Sequence, residues 1–508
     1  MLAKTLSVAL IGADAHLVEV EVHATQGVPN FTVVGLPAKS VREAEQRTRS
    51  ALLSSDQRWP PCRTVANLAP ASLRKEGTHF DLALAIGILV ADKRLDPTAA
   101  EGWVFVGELA LDGSIRPVRG TLSAAMIAAR AGAKGIVCPA ANAAEARLVE
   151  GLEVVPVVRL RDCIGFLRGR WQPDPVPETP AAPPAEVEDL ADVRGQTAAR
   201  AALEVAAAGA HNLLMRGAPG CGKTMLARRL PGILPRMTRQ EALDVTRVYS
   251  IAGLLPEGRG LIEERPFRAP HHNVSSAGLV GGGPDVARPG EVALANHGVL
   301  FMDEMPLFRR DVLEALRAPL EDGRVRIARR GGTVSFACRF SLVGAMNPCP
   351  CGFMGDTRRR CRCSDQQLRT YGNKVSGPML DRFDMHVDMT RIGSDELLEP
   401  VGGEPSAVVR ERVETARELQ RQRYGSPAAT NASVSKRQLR TNGRFAPSAF
   451  LPLRPRVDNG GLTGRGVDRV LRLARTIADL ACSSEVTGEH VVRALAFRVE
   501  NVYEEVAA

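Results

Sequence analysis

The feature that most constrains this chain is a glycine-rich loop between a short apolar run and a helix-forming run. The loop fits the pattern G-x-x-x-x-G-K-[ST] without a mismatch, and its residues are Gly217, Ala218, Pro219, Gly220, Cys221, Gly222, Lys223 and Thr224. The run 212–215 predicts a buried strand before the loop, and 225–230 predicts the start of a helix after it. When a strand, a glycine-rich loop and a helix follow one another in this order, backbone N–H groups and the helix N-terminus face bound phosphate. We therefore predict that the chain binds ATP, with Lys223 on the β- and γ-phosphates and the Thr224 hydroxyl on Mg²⁺.

Two later apolar runs end in polar side chains that suit the same site. The run 298–302 ends in Asp303 and Glu304, and the run 342–346 ends in Asn347. Asp303 is expected to coordinate Mg²⁺ directly or through water, and Glu304 to orient and deprotonate the attacking water. Asn347 is placed to hydrogen-bond that water or the γ-phosphate. The spacing predicts a P-loop ATPase of the α/β class.

The chain is too long for one hydrophobic core. With 508 residues, two to four domains are expected. Residues 1–171 alternate strand and helix patterns and predict an α+β domain, and the prolines and acids of 172–188 predict an extended linker. Residues 189–392 hold the nucleotide motifs. Residues 393–508 turn helical and are expected to form a lid over the nucleotide.

Some local patterns make narrower predictions. The stretch 103–114 ends in Asp-Gly and predicts a β-hairpin. Helices are expected over 405–423, 466–482 and 489–500, while the polar, proline-containing stretch 424–459 predicts irregular structure.

Composition and charge narrow the kind of protein. At 44% hydrophobic and 24% charged residues, the chain has the composition of a soluble globular protein. No apolar run reaches the length of a membrane span, and Asp14 and His16 interrupt the apolar start 6–13. We therefore expect no membrane partner and no signal peptide, and predict a cytoplasmic protein. The net charge of +9 favours a polyanionic partner, although many cytosolic proteins are mildly basic.

Four of the ten cysteines cluster, which in a cytosolic protein points to metal. They form two C-x-C pairs, Cys349 with Cys351 and Cys361 with Cys363. The short glycine-containing loop between the pairs lets them converge tetrahedrally on one Zn²⁺, which predicts a zinc knuckle over 349–363. Free reduced thiols are the alternative, since C-x-C is tighter than the commoner C-x-x-C. Arginines 358–360 and 362 make the same loop basic.

A second basic feature lies just ahead of the Asn347 strand. The runs 324–328 and 333–337 alternate in the manner of strands and predict a β-hairpin whose tip carries Arg329 and Arg330. With Arg326 on the first strand, these side chains are predicted to contact DNA phosphates without regard to sequence. A solvated turn is the alternative, because charged residues are usual at such tips.

The front domain resembles the proteolytic domain of Lon proteases. The matching stretches are KEGTHFDL at 75–82, VGEL at 106–109 and GSIRPV at 113–118. Where Lon carries its nucleophilic serine and its catalytic lysine, this chain has Thr78-His79 and Thr121-Leu122-Ser123. The resemblance therefore implies a protease-like scaffold without a nucleophile and the base that activates it. Thr78 and His79 could in principle form such a pair, but a strand-to-helix turn is the favoured interpretation.

Four stretches resemble the magnesium-chelatase branch of AAA+ ATPases: RPFRAPHH at 265–272, GGGP at 281–284, PGEV at 289–292 and SGPMLDRFD at 376–384. Together with the Lon-like front domain, the resemblance is to the ComM/YifB family and covers nearly the whole chain. It implies a homo-hexameric ring with ATP at the subunit boundaries and the basic hairpin in the central pore. Arg382 would act in trans as the arginine finger, and Arg465 matches the sensor-2 position of the lid.

His271 and His272 lie within the first of these stretches. Neighbouring side chains on a regular element point in different directions, so we expect no chelating pair and assign the two histidines no role.

The function implied is an ATP-driven motor on single-stranded or branched DNA, and the resemblance suggests branch migration during recombination or natural transformation. The alternative is a magnesium-chelatase-type or chaperone-like ATPase that does not act on DNA. An ATP-dependent protease is disfavoured because the serine and the lysine are missing.

Overall fold

The chain folds as a mixed sheet, then a parallel sheet, then a group of helices. The computed structural model describes residues 1–174, 188–256, 258–283, 287–329, 332–356, 358–393 and 403–498. Most of the predicted linker (175–187) and the predicted start of the lid (394–402) lie outside the described residues. No described helix has both the length and the apolar character needed to cross a membrane.

The front domain is built on a seven-stranded mixed sheet in the order β3-β4-β2-β1-β5-β8-β9. The strands of the domain, of which β6 and β7 form a separate hairpin, are β1 (Leu2–Ile11), β2 (Asp14–Thr25), β3 (Asn30–Val34), β4 (Arg63–Ala69), β5 (Trp103–Phe105), β6 (Glu108–Leu109), β7 (Ile115–Arg116), β8 (Gly135–Pro139) and β9 (Glu153–Val157). Its helices are α1 (Lys39–Arg42), α2 (Ala44–Ser54), α3 (Asp81–Ala91), α4 (Pro97–Ala100), α5 (Thr121–Arg130), α6 (Ala143–Ala146) and α7 (Leu160–Leu167).

Helix α3 forms the centre of the front-domain core. All of its residues are buried, and it packs on β1 and β2. Its one charged residue, Asp81, is 1% exposed and accepts from Arg47 Nε (2.6 Å) and Nη2 (2.9 Å). Burial raises the pKa of Asp81 to about 6 despite this pairing. An otherwise apolar helix can therefore bury its first turn because a bidentate arginine compensates the carboxylate.

The hairpin predicted over 103–114 is only partly right. Strand β5 lies parallel between β1 and β8 and has no hairpin partner. The hairpin instead joins β6 and β7, with Asp112 and Gly113 at its turn. The period-two pattern does not distinguish a central parallel strand from the first arm of a hairpin.

The ATPase domain has a parallel five-stranded sheet in the order β11-β14-β17-β10-β18 and two separate hairpins. Its strands are β10 (Leu213–Gly217), β11 (Phe267–Arg268), β12 (Gly281–Gly282), β13 (Arg288–Pro289), β14 (Val299–Met302), β15 (Arg324–Arg329), β16 (Gly332–Ala337), β17 (Ser341–Met346) and β18 (Met385–Met389). Its helices are α8 (Thr197–Gly209), α9 (Lys223–Ile233), α10 (Arg239–Ala252), α11 (Ser276–Val280), α12 (Glu291–Leu294), α13 (Arg310–Ala315), α14 (Arg317–Asp322), α15 (Asp365–Gly372) and α16 (Gly377–Leu380).

The parallel sheet decides where the site forms. β10 pairs with β17 on one side and β18 on the other, and β14 pairs with β17. The carboxyl ends of β10, β14 and β17 therefore meet at one edge of the sheet. Residues that precede β18 lie at the opposite edge, since β18 runs parallel to β10.

The C-terminal helices are α17 (Ser406–Tyr424), α18 (Lys436–Asn442), α19 (Arg454–Asp458), α20 (Gly464–Leu480) and α21 (Gly488–Ala496). Helix α17 packs on α8 and α9, and α20 packs on α8 and α21. The three predicted helices match α17, α20 and α21. The irregular structure predicted over 424–459 is wrong in part, because α18 and α19 form there. Ser435 caps α18 with a capping box, a local signal that offsets the polar composition.

A buried charge network holds these helices together. Asp479 of α20 accepts from Arg423 Nη1 (2.9 Å) and Asn431 Nδ2 (2.8 Å). It also pairs with Arg475 Nη2 one turn earlier (3.0 Å), and the side chains of both residues are fully buried. One carboxylate thus compensates two arginines inside the helical domain.

The front domain and the ATPase domain meet where the β1–β2 turn and the start of α5 touch α10. Arg247 Nη2 donates to the Ala13 carbonyl (2.7 Å) and to the Asp14 carboxylate (3.0 Å). Gly120 donates its N–H to the Ser250 hydroxyl (3.0 Å). Two backbone groups and the Asp14 carboxylate of the front domain thus join it to α10.

We expect Asp479→Ala to destabilise the helical domain by about 3 kcal/mol or more, because two buried guanidinium groups lose their carboxylate. Hydrogen exchange of the amides in α17 and α20 measures this change. Glu43→Ala is the control, since it removes an ion pair with Lys39 whose side chains are 55% and 92% exposed. A change below about 0.5 kcal/mol is expected there. Unchanged exchange in α17 and α20 of Asp479→Ala would contradict the network's role.

Candidate functional site

The phosphate loop has the backbone that its sequence predicts. It leaves the end of β10, and α9 begins at Lys223. Gly220 (φ 79°) and Gly222 (φ 92°) both take positive φ values that residues with a side chain rarely adopt. The turn therefore aims the N-terminus of α9 and its free N–H groups into the loop.

Lys223 lies inside the curve of this loop. Its Nζ donates to the carbonyls of Gly217 (2.7 Å) and Ala218 (3.1 Å) and to Asn347 Oδ1 (3.1 Å). Asn347 directly follows β17, the strand beside β10. The structure thus brings together the lysine and the asparagine that the sequence placed 124 residues apart.

Thr224 and Asp303 form the second contact of the site. The Thr224 hydroxyl donates to Asp303 Oδ2 at 2.7 Å. A hydroxyl and a carboxylate at the edge of a parallel sheet are the oxygen ligands that Mg²⁺ takes beside phosphate. The donor set therefore fits the predicted magnesium ion.

Glu304 completes this edge of the sheet. It is exposed, and its φ of 50° lies in the left-handed region that is uncommon for a residue with a side chain. Its N–H donates to Asp303 Oδ1 (2.9 Å). The chain therefore turns sharply after β14, with consecutive carboxylates at the predicted metal and water positions.

Arg382 lies at the opposite edge of the sheet. It precedes β18, and β18 pairs with β10 from Leu213↔Met385 onward. The five residues of β10 span about 16 Å, so Arg382 is separated from Lys223 by at least the length of a strand. The finger position and the phosphate loop of one chain do not form a single site.

Arg382 lies among other positive charges. It pairs with Glu321, while its buried Nε has no hydrogen-bond partner among the described residues. Burial, with the charges of Arg317, Arg469 and Arg465, lowers the pKa of Arg382. We call these four residues the arginine cluster.

Arg465 was expected in a lid above the nucleotide of its own chain, but it lies elsewhere. It lies at the start of α20, in the arginine cluster at the edge remote from Lys223. Arg469, on the same helix, pairs with Asp381 (3.3 Å). This packing of α20 against the segment before β18 accounts for the position of Arg465.

Two residues of the site had no motif to reveal them. Asn212, just before β10, donates from Nδ2 to the Arg382 carbonyl (2.9 Å) and accepts from the Leu342 N–H (2.9 Å). Gln196 Nε2 donates to the carbonyls of Cys221 (3.1 Å) and Thr390 (2.6 Å). Asn212 therefore holds the strand starts near Arg382, and Gln196 ties the phosphate loop to the end of β18.

The four clustered cysteines converge as predicted. The Sγ atom of Cys361 lies 3.7 Å from that of Cys349 and 3.6 Å from that of Cys351, and the sulfurs of all four, Cys363 included, lie within 4.8 Å of one another. Tetrahedral zinc with Zn–S bonds of about 2.3 Å places sulfurs about 3.8 Å apart, so the geometry is compatible with zinc.

The protonation of these thiols is uneven. A backbone hydrogen bond from Arg362 lowers the pKa of Cys351 to about 6, whereas burial raises that of Cys363 to about 12. Thiolates ligate metal, so a bound cation would have to offset the cost of deprotonating Cys363.

The basic hairpin forms from β15 and β16. Arg324 and Arg326 are exposed on its outer face, and Val325 and Phe336 are buried on its inner face. Arg330 and the side chain of Arg329 lie outside the described residues. The exposure of Arg326 suits the predicted DNA contact, which stays a prediction.

The residues at the Lon-like protease positions have other partners. Thr78 Oγ1 donates to Glu108, and His79 Nε2 bonds the Val8 carbonyl (2.7 Å). Burial lowers the pKa of His79 to about 4. Ser123 Oγ donates to the Ala13 carbonyl (2.9 Å), within the contact with α10. Thr78 and His79 therefore do not form a nucleophile–base pair in this structure.

His271 and His272 lie in a loop rather than on a helix or strand, so the divergence expected on a regular element does not apply to them. Their rings lie 4.1 Å apart at 33°. Across the described ranges, however, the cysteine group is the one set of three or more potential metal ligands. The two histidines therefore remain without an assigned role.

Comparison with known proteins assigns all three parts of the chain to related families. "Magnesium chelatase, subunit ChlI" matches residues 189–397, "Subunit ChlI of Mg-chelatase" matches 20–142, and "Magnesium chelatase, subunit ChlI C-terminal" matches 403–498.

Several curated proteins are similar over almost their full length. The competence protein ComM of Haemophilus influenzae is 41% identical over 503 residues, which cover 98% of this chain and 97% of ComM. The uncharacterized protein YifB of Escherichia coli is 39% identical over 96% of both chains. An uncharacterized protein of Mycobacterium tuberculosis is 45% identical over 98% of both chains.

The magnesium-chelatase 38 kDa subunit of Rhodobacter capsulatus is 27% identical over only 28% of this chain and 44% of that subunit.

Glu304→Gln should leave ATP binding intact and lower hydrolysis at least about a hundredfold, because it removes the carboxylate predicted to activate water. Fluorescent-nucleotide binding and phosphate release measure the two effects separately. Lys223→Ala is the control and should lose binding as well. Near-normal turnover by purified Glu304→Gln would refute the assignment.

Proposed function

The chain belongs to the ComM/YifB family of magnesium-chelatase-like AAA+ ATPases, and on this premise we propose that it is a hexameric, ATP-driven motor that acts on single-stranded or branched DNA. The observation that carries the proposal is the separation of Lys223 from Arg382 at opposite edges of one parallel sheet. Each subunit then offers two half-sites that cannot complete each other within one chain.

A ring resolves this separation. Each phosphate loop would face the arginine cluster of the next subunit, as head-to-tail packing around a closed ring requires. The γ-phosphate of a bound nucleotide would offset the repulsion among Arg382, Arg317 and Arg465. Hydrolysis would remove that anion and weaken the boundary, which is how a ring of this kind couples ATP turnover to movement.

Within each composite site, the residues have separate tasks. Lys223 would hold the β- and γ-phosphates, while Glu304 would orient water and accept its proton. Thr224 and Asp303 would hold Mg²⁺, which neutralises phosphate charge when bound. Arg382 from the neighbouring subunit would stabilise the charge that develops on the transferred phosphoryl group.

The assignment to DNA rests on charge and on one relative. Arg324 and Arg326 are exposed on the β15–β16 hairpin, and arginines 358–360 are exposed beside the cysteine group. The relative from Haemophilus influenzae is named a competence protein, a name that we take to indicate a role in DNA uptake. We therefore propose branch migration of recombination intermediates as the activity.

The second candidate is a chelatase-type or chaperone-like ATPase that does not bind DNA. The family descriptions name magnesium chelatase, which favours this candidate. The chelatase subunit itself, however, matches only 28% of the chain. The basic hairpin and the basic cysteine loop are also features that a subunit without a nucleic-acid partner does not require.

A subunit-mixing experiment tests the shared site. Arg382→Ala and Lys223→Ala should each abolish hydrolysis alone, because each removes one half of every site. Mixed rings should recover part of the activity, since a boundary that receives Lys223 from one variant and Arg382 from the other is intact. ATPase rate is measured against the mixing ratio. A strictly additive loss at all ratios would argue against a site shared between subunits.

A binding experiment tests the DNA assignment. Replacing Arg329 and Arg330 with alanine should weaken binding to forked, four-way and linear DNA alike, and make the dependence of log K on log salt shallower. Basal ATPase should persist, while stimulation by DNA should disappear. A matched control replaces Arg42 and Arg130, which are exposed on the front domain and change net charge equally.

The wild-type protein decides between the two candidates. If it neither binds DNA at low salt nor hydrolyses ATP faster with DNA, the motor assignment fails and the ATPase alone remains. If DNA does stimulate hydrolysis, strand displacement on forked, four-way and linear DNA identifies the preferred DNA structure.

A further inference from the structure

The cysteine group lies directly against the phosphate loop. Gly352, between its two C-x-C pairs, has φ 81°. A Cβ atom on Gly352 would lie 2.6 Å from Pro219 Cδ and 2.8 Å from Pro219 Cγ. No side chain fits between the two loops, so the backbone of the cysteine loop supports the ring of Pro219.

The same loop is continuous with the asparagine that contacts Lys223. Cys349 follows Asn347 by two residues, and Asn347 Oδ1 accepts from Lys223 Nζ (3.1 Å). The N–H of Met354 donates to Cys349 Sγ (3.3 Å), and the N–H of Gly352 donates to the Cys349 carbonyl (2.9 Å). The position of Cys349 therefore constrains the chain that carries Asn347.

A third anchor joins the loop to the end of β18. Asp356 pairs with Arg391 Nε (2.9 Å), and the Arg391 guanidinium lies 5.5 Å from the centre of the Phe353 ring. The preceding residue, Thr390, accepts from Gln196, which also donates to Cys221 in the phosphate loop. The cysteine loop and the phosphate loop thus share supports on three sides.

Turns and side-chain contacts, rather than helices or strands, hold the described part of this loop; the N–H groups of Arg358 and Arg359, for example, donate to Asp356 Oδ1 (2.7 and 3.0 Å). No helix or strand forms between β17 and α15 in the part of that segment that the structure describes. Arginines 358–360 and 362 are exposed. A metal ion held by four thiolates would cross-link such a loop and supply much of its folding free energy.

We propose that metal binding by the four cysteines and nucleotide binding by the phosphate loop are thermodynamically coupled. The inference rests on the proposed nucleotide site. The metal-bound loop holds Pro219 and Asn347 in the positions that the nucleotide needs, and a bound nucleotide in turn stabilises the metal-bound loop. Linkage requires the two effects to be equal: the factor by which Zn²⁺ raises nucleotide affinity is the factor by which nucleotide raises Zn²⁺ affinity.

Full-length protein tests this directly. Fluorescent ADP is titrated into zinc-loaded and chelator-stripped protein, and Zn²⁺ affinity is measured against a chromogenic chelator with and without Mg-ADP. We expect about fivefold or greater tightening in both titrations, by equal factors. Two ligands that bind with affinities independent of each other would overturn the coupling and leave the nucleotide site standing.

Two glycines of the loop provide a matched pair of variants. Gly352 (φ 81°) and Gly355 (φ 78°) have nearly the same φ, so alanine would be equally strained at either position, but a Cβ at Gly355 meets nothing within 4 Å. Gly352→Ala should lower nucleotide affinity while metal analysis still finds one zinc per chain, and Gly355→Ala should bind nucleotide as the wild type does. Equal losses in both variants would show that loop strain, rather than the contact with Pro219, is responsible, and would contradict the proposal.

Removal of the metal tests the remaining parts of the proposal. Cys361→Ser should lose zinc and bind nucleotide as weakly as stripped protein does. Protein prepared without chelators that contains no zinc and takes up none would refute the metal site and the coupling together. Zinc-loaded protein that binds no nucleotide would refute the proposed function as well.

Discussion

The backbone pairing of β10 with β17 on one side and β18 on the other positions both the phosphate loop and Arg382. β10 ends in the phosphate loop, and β17 ends in Asn347. The parallel direction of β17 places its polar end beside Lys223, while that of β18 places Arg382 a strand length away. In the proposed ring, each chain would bind nucleotide at its own phosphate loop and supply Arg382 to the neighbouring copy.

Short polar contacts keep the strand ends in register. Asn212 bridges the starts of β10, β17 and β18 through Leu342 and the carbonyl of Arg382. Gln196 makes the corresponding bridge at the other edge, from the phosphate loop to Thr390. Each uses a side-chain amide to satisfy backbone groups that a strand end leaves without a partner. The two edges, with their different chemistry, are therefore braced independently.

The residues that the Lon resemblance marks in the front domain make structural contacts. The residues at the Lon nucleophile position are bonded to Glu108 and to the Val8 carbonyl, within the front domain itself. Those at the lysine position lie in the contact with α10, where Gly120 donates to Ser250. The same front domain reaches the basic hairpin, since a Cβ atom on Gly12 would lie 2.4 Å from Val334 Cγ1. Its β1–β2 turn is therefore positioned to support the middle of that hairpin, where Val334 pairs with Ile327.

The sequence alone determined the chemistry of the nucleotide edge. Lys223, Thr224, Asp303 and Asn347 each follow an apolar run, and such runs become buried parallel strands whose ends converge. The metal site could also be predicted from the two C-x-C pairs, because a separation of two residues brings paired thiols to one point. Tertiary structure alone decided the rest. Asn212 and Gln196 bond residues 130 and 194 positions away, Arg465 joins Arg382 through the packing of α20, and Gly352 meets Pro219 across two loops. Contacts of this kind leave no local pattern, because they depend on how separate elements pack rather than on the periodicity of any one of them.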